Sequence, residues 1–261
     1  MCKFLTDLFK KTDKPLENVI VDEKPEATEE TIEEDYNNKN ENDMEVINPE
    51  PYVPSYNGKI ILLDNGHGKN CAGKRSPKFE DGSQFFEYEF SRDIVRRIAN
   101  KLDEIGVLYR ILVPEVEEDI KLTERARRAN KICAEYGKEN CIFISVHANA
   151  AGNGTEWKNA RGWSVWTTKG DTKSDAIATI FFEEAEKILP QCGMTLRKDT
   201  SDGDPDYEEN FTVIYKTVCP AILTENLFMD NKTDVEFLMS DEGRNKIAQI
   251  HVNAIKRLCF D

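Results

Sequence analysis

From Lys59 onward the chain alternates between short, unbroken apolar runs and longer stretches in which apolar residues return every three or four positions. Ile60-Ile61-Leu62-Leu63 is apolar on consecutive residues and stops at Asp64-Asn65-Gly66. A run apolar on both faces predicts a strand buried on both sides and delivered into a tight turn. Phe90, Ile94, Ile98 and Leu102 then recur at steps of four and predict a helix closed by Gly106. Val107–Val113 reads as a second strand, and Leu122, Ala126, Ala129, Cys133 and Tyr136 line one face of a second helix that stops near Gly137. Cys141–Val146 predicts a third buried strand and Gly162–Thr168 a fourth. Ile177, Ile180, Phe181 and Leu189 mark a third helix ended by Pro190. Thr212–Tyr215 and Ala221–Thr224 read as two further short strands. A last helix, from about Asp234 to Leu258, carries Leu238, Ile247, Ile250, Ala254 and Leu258. Apolar strands alternating with helices predict an α/β fold: a three-layer sandwich whose central sheet, largely parallel or mixed and of about six strands, is flanked by helices.

Residues 1–58 break this pattern. They hold 6 lysines and 15 acidic side chains, so −9 of the chain's formal −14 lies there, with few apolar residues among them. Such a segment cannot bury enough surface to offset its ordering entropy, and it reads as an acidic linker ahead of a folded domain spanning 59–261. Pro49, Pro51 and Pro54 stiffen the approach. The short amphipathic start, with Phe4, Leu5, Leu8 and Phe9, reads as a frayed helix. It has no secretory apolar core, so the expectation is synthesis in the cytoplasm without a signal peptide. The acidic balance disfavours a phosphate-backbone partner, hence no nucleic acid. No apolar stretch approaches membrane-spanning length. Seven scattered cysteines without a C-x-x-C pair argue against both a disulfide framework and a thiolate zinc finger, and read as small buried hydrophobes.

In parallel sheets, sites gather beyond the carboxyl ends of strands. Three strand ends carry distinctive residues. His67 is bracketed by Gly66 and Gly68 after the first, His147 stands in Ser145-Val146-His147-Ala148-Asn149-Ala150 after the third, and Glu225-Asn226 follow the last. Taken singly, a loop histidine also serves as a hydrogen-bonding turn residue. Two imidazoles converging with a carboxylate instead form the donor set of a catalytic zinc that keeps one position for water. The third histidine, His251, falls inside the last helix and reads as a residue at the core edge.

These blocks resemble the zinc-dependent N-acetylmuramoyl-L-alanine amidases of the amidase 3 type, found in bacterial cell-separation enzymes and phage endolysins. The resemblance runs from about Lys59 to Leu258, through Asp64–Gly68, a glutamate opening the first helix (Glu87), Leu122-x-x-Arg125 with Ala129-Asn130, Phe143–Ala150 and Pro220–Asn226. It implies zinc ligation by His67, Glu87 and His147, with Glu225 as catalytic acid/base. It further implies hydrolysis of the amide between N-acetylmuramic acid and L-alanine, with peptidoglycan as the partner. Asn149 and Asn226 flank a ligand and the acid, and are expected in substrate or supporting contacts. The chain departs from the family pattern at Asn65, where proline is common, and at the lysine usually following the glutamate ligand; Glu80 and Glu89 compete with Glu87 for that role. Ala151–Ala160, with Trp157, and the acidic stretch Asp199–Glu209 are expected as rim loops; the latter lacks EF-hand spacing, which disfavours calcium. The missing signal peptide fits a phage or prophage endolysin acting on the wall after release. Two other readings stand beside the amidase: another zinc wall peptidase or carboxypeptidase, and an inactive peptidoglycan-binding module. The residues leave oligomeric state open.

Overall fold

The computed structural model describes residues 55–71 and 73–260. The acidic segment up to Pro54, with its amphipathic start, lies outside the described residues. Six strands form one sheet in the order β2-β1-β3-β6-β4-β5. They are β1 (Ile60–Asp64), β2 (Tyr109–Ile111), β3 (Cys141–Asn149), β4 (Ser164–Thr167), β5 (Tyr207–Glu208) and β6 (Ala221–Phe228). The block β2-β1-β3-β6 is parallel; β4 runs antiparallel to β6, and β5 pairs parallel with β4, so the sheet is mixed. The helices are α1 (Glu87–Ile105), α2 (Leu122–Tyr136), α3 (Lys173–Ile188), α4 (Thr212–Tyr215), α5 (Lys232–Met239) and α6 (Asp241–Phe260).

Both sheet faces are covered, which is why the strands read as unbroken apolar runs rather than alternating ones. Ile61, Leu63, Ile142, Ile144 and Val146 pack under Phe90, Ile94 and Ile98 of α1, Ile177 and Phe181 of α3, and Ile247 and Ile250 of α6. On the other face Ile60, Leu62, Phe143 and Leu223 meet Ala129 and Cys133 of α2 and Val213 and Ile214 of α4. The three-layer α/β sandwich is thus the one the pattern predicts.

Four local expectations are corrected. Thr212–Tyr215 is a helical turn, not a strand; four β-prone residues are a weak signal, and burying Val213 and Ile214 beneath the sheet overrides it. The sixth strand is instead Tyr207–Glu208, inside the acidic stretch expected to be loop. The last helix is two helices, divided at Ser240, which leaves the helical backbone while its hydroxyl accepts from the Gly243 amide and caps α6. Leu122, expected on the inner face of α2, is 42% exposed, and that face buries Arg125 instead. The six cysteines among the described residues are free.

His251 lies deeper than the core edge: it is fully buried on α6. Its Nδ1 is 2.8 Å from the Ile247 carbonyl, which can only accept, so Nδ1 carries the proton and Nε2 accepts from the Thr224 hydroxyl at 3.0 Å. Burial depresses its pKa to about 4. The unfolded chain therefore binds the extra proton first, and stability present above pH ~6.5 is lost as pH falls toward 4. This one group contributes up to about 3 kcal/mol of that loss. We expect urea midpoints to fall across this window, and His251→Gln to flatten the fall; an equal slope in the variant would contradict the assignment.

Candidate metal centre and active site

Parallel pairing continues past the apolar runs, because backbone hydrogen bonds do not depend on side-chain polarity. His147 and Glu225, expected just beyond strand ends, therefore sit within β3 and β6 and are direct cross-strand partners. The register then shifts between His147 and Asn149. Opposite that irregularity, Leu227 takes φ 68°, a conformation that costs a branched residue of the order of 1–3 kcal/mol. Asp234 holds this stretch, accepting from the Phe228 amide at 3.1 Å and the Gly162 amide at 2.8 Å.

His67 arrives on the turn after β1. Gly66 there has φ 68°, and a Cβ at that position would lie 2.8 Å from Cε1 of His147. Only glycine lets the turn close over the imidazole. The two rings meet edge to face with centroids 5.1 Å apart. Glu87 is the first residue of α1, where the helix dipole favours a carboxylate. It is fully buried, whereas its competitors Glu80 and Glu89 are exposed. Its Oε1 lies 2.9 Å from His147 Nδ1 and accepts from the Ala148 amide at 3.1 Å; its Oε2 is 3.8 Å from His67 Nε2.

The donor atoms of His67, Glu87 and His147 all lie within 4.8 Å of one another. Glu87 Oε2 and His147 Nε2 are buried without hydrogen-bond partners, and so is Oε2 of Glu225, the cross-strand neighbour of His147. Orphaned buried polar atoms are costly, and a set of two imidazoles and a carboxylate suits a divalent cation. Electrostatics agree. Burial, reinforced by the charge of His147, lowers the His67 pKa to about 4 and keeps that ring neutral and ligand-ready. Burial opposes charge on both His147 and Glu87, but their mutual hydrogen bond and the charges around them together outweigh it, raising the histidine and holding Glu87 down at about 2. Burial, reinforced by Glu87 and opposed by His147, pushes Glu225 up to about 7.

Supporting contacts fix these groups. Asn226 is fully buried; it donates to the His147 carbonyl at 2.9 Å and accepts from the Trp163 indole at 2.8 Å. Asn149 is half-buried, and its side chain accepts from the Ala150 amide. Sequence reasoning missed a polar relay that runs from His67 into the core. Asp119 Oδ1 lies 3.3 Å from His67 Nδ1 and accepts from the Gly68 amide and from Arg125, each at 2.9 Å. Arg125 is wholly buried, 3.8 Å from Asp64, which accepts from Ser145 at 2.6 Å. A carboxylate on Nδ1 orients a ring so that Nε2 faces a metal. Only the Arg125 of the Leu-x-x-Arg block hinted at this, because a guanidinium on an inner helix face needs an acid partner. The Ala151–Ala160 loop is anchored by Asp230, which accepts from the amides of Ala151 and Gly152, while Trp157 packs on Phe79 at 4.8 Å.

Fold and donor set together mark a candidate metal centre on a three-layer α/β scaffold. Residues 61–257 match the family described as N-acetylmuramoyl-L-alanine amidase, and the chain belongs to that family, enzymes that hydrolyse the muramoyl–L-alanine amide of peptidoglycan. It is 29% identical over 210 residues to the endolysin of Bacillus phage SPP1, covering 77% of this chain and 66% of that protein. With the N-acetylmuramoyl-L-alanine amidase CwlM of Bacillus licheniformis it shares 27% over 197 residues, 76% of this chain and 67% of that one. The chain thus spans about two thirds of the length of these relatives. Among solved structures, the N-acetylmuramoyl-L-alanine amidase of Clostridium difficile 630 superposes with a TM-score of 0.61 at 22% identity, covering 77% of this chain and 96% of that one, which shows the shared fold.

Substituting Gly66→Ala forces both a clash and a strained φ. It is expected to cost about 1–3 kcal/mol in urea denaturation and to weaken metal uptake by displacing His147. Unchanged stability and uptake would contradict the close packing.

Proposed function

We propose that this chain is a zinc enzyme that cleaves the amide between N-acetylmuramic acid and L-alanine, with His67, Glu87 and His147 as metal ligands and Glu225 as the proton-transferring group. The observation that carries this reading is the cross-strand placement of Glu225 beside His147, with Glu225 Oε2 buried and without a hydrogen-bond partner. Zinc bound there would supply Lewis acidity at the scissile carbonyl and activate water.

The remaining work falls to side chains. Glu225, raised to about 7 by burial, is poised to take a proton from attacking water and return it to the departing L-alanine amine. Asp119 holds His67 Nδ1, and Asn226 holds the His147 backbone, so both rings keep their aim. Asn226 is buried and supports the site from behind; half-buried Asn149 is the better placed of the two asparagines for a substrate contact. The substrate is peptidoglycan, reached at the cell wall as by an endolysin, and residues 1–58 serve as an acidic linker to the catalytic domain 59–261. No helix among the described residues is long and apolar enough to cross a membrane.

Glu225→Gln is expected to keep zinc while hydrolysis of purified sacculi falls about 10²–10⁴-fold. Mass spectrometry of wild-type digests should show a free muramic carboxylate and a new L-alanine amino terminus. A fully active variant, or cleavage elsewhere in the stem peptide, would overturn the proposal. His147→Ala is expected to lose the metal, read by elemental analysis; undiminished zinc would remove it from the ligand set.

A further inference from the structure

The ring of His67 has a second nitrogen, and that nitrogen faces its own donor cluster. Cys71 Sγ lies 3.4 Å from Nδ1, and Asp119 Oδ1 lies 3.3 Å from the same atom. One donor atom from each of His67, Cys71 and Asp119 falls within 4.8 Å of the other two. Metal–ligand bonds of about 2.0–2.3 Å at tetrahedral angles separate donor atoms by roughly 3.3–3.6 Å, so both measured spacings match without movement.

The backbone builds this cluster rather than leaving it to chance. Lys69 and Asn70 amides bond the Val116 and Glu117 carbonyls, the Asn70 side chain accepts from the Asp119 amide, and the Cys71 amide returns to the Gly68 carbonyl. A Cβ on Gly68 would lie 2.2 Å from the Glu118 backbone, so the two segments are in close contact. Cys71 and Asp119 are thereby pinned on the solvent side of His67, with the Asp119 side chain 34% exposed and open to an arriving ion. Both hydrogen bonds to the Asp119 side chain end on the single oxygen Oδ1.

We propose that His67 Nδ1, Cys71 Sγ and the Asp119 carboxylate form a second site for a soft divalent cation such as Zn²⁺ or Cd²⁺, distinct from the cluster around Glu87 and His147 and joined to it through the His67 ring. A thiolate–imidazole–carboxylate set favours such thiophilic ions over Mg²⁺ or Ca²⁺. Binding displaces the Cys71 thiol proton and the Nδ1 proton to solvent, and the ion takes the ring nitrogen that Asp119 otherwise orients. The first site fills at low metal, and the second fills only in excess because it borrows a ring already engaged.

The test is titration of the metal-free full chain with Cd²⁺, following bound metal after desalting and the ultraviolet absorbance of cadmium–thiolate bonds. Wild-type protein is expected to bind two equivalents, with thiolate absorbance rising on the second. Cys71→Ser and Cys71→Ala should each bind one equivalent and lose that absorbance. Wild-type protein stopping at one equivalent without thiolate absorbance, or Cys71 variants keeping the absorbance, would overturn the second site. His147→Ala separates this inference from the zinc-amidase reading: it should lose one equivalent yet retain the thiolate signal. If it retained both equivalents, the His147 ligand assignment would fail while the second site stood.

Discussion

Parallel pairing of β3 with β6 is the constraint on which the rest depends. It sets His147 directly across from Glu225, although they stand 78 positions apart along the chain. That pairing comes from apolar residues that have no part in the chemistry: Phe143, Ile144, Ala221 and Ile222 are buried on both sheet faces and fix the register three to four residues before the functional pair. A one-residue slip would turn one of the two side chains to the opposite face. Catalytic geometry here is therefore a by-product of core packing, with α1 and β1 contributing Glu87 and His67 by the same means.

Charge is the second organising fact. Two imidazoles and two carboxylates gather where water is largely excluded, and burial works against every one of them in the ionised form. Partial cancellation between His147 and Glu87 leaves Glu225 with an unusually high proton affinity and His67 with an unusually low one. The arrangement makes sense as a cation site with a proton carrier beside it. Around it the strained Leu227, the Asp234 clamp and the Asp119–Arg125–Asp64 relay spend stability on holding direction.

Much of this was legible in the sequence. Unbroken apolar strands and four-step helices specify a covered sheet, and the glycine bracket around His67 marks a turn that only glycine can make. The residues by themselves could not choose Glu87 over Glu80 and Glu89; the resemblance did so, and in the structure Glu87 alone of the three is buried at the start of α1. Elements shorter than about five residues, such as Thr212–Tyr215, escaped because packing outweighs local preference at that length. Asp119 and Cys71 escaped for a different reason. Their meaning lies in a ring that reaches them from the turn after β1, and an acid within Glu117-Glu118-Asp119 looks like any solvated charge run until the fold brings Arg125 and His67 against it.

The most direct measurement is a crystal structure of the zinc-loaded protein with anomalous diffraction at the metal edge. The account predicts a peak at about 2.0–2.2 Å from His67 Nε2, a Glu87 oxygen and a His147 ring nitrogen, with Glu225 outside the coordination shell. A metal held by Glu225, or one with no bond to either His67 or His147, would contradict it.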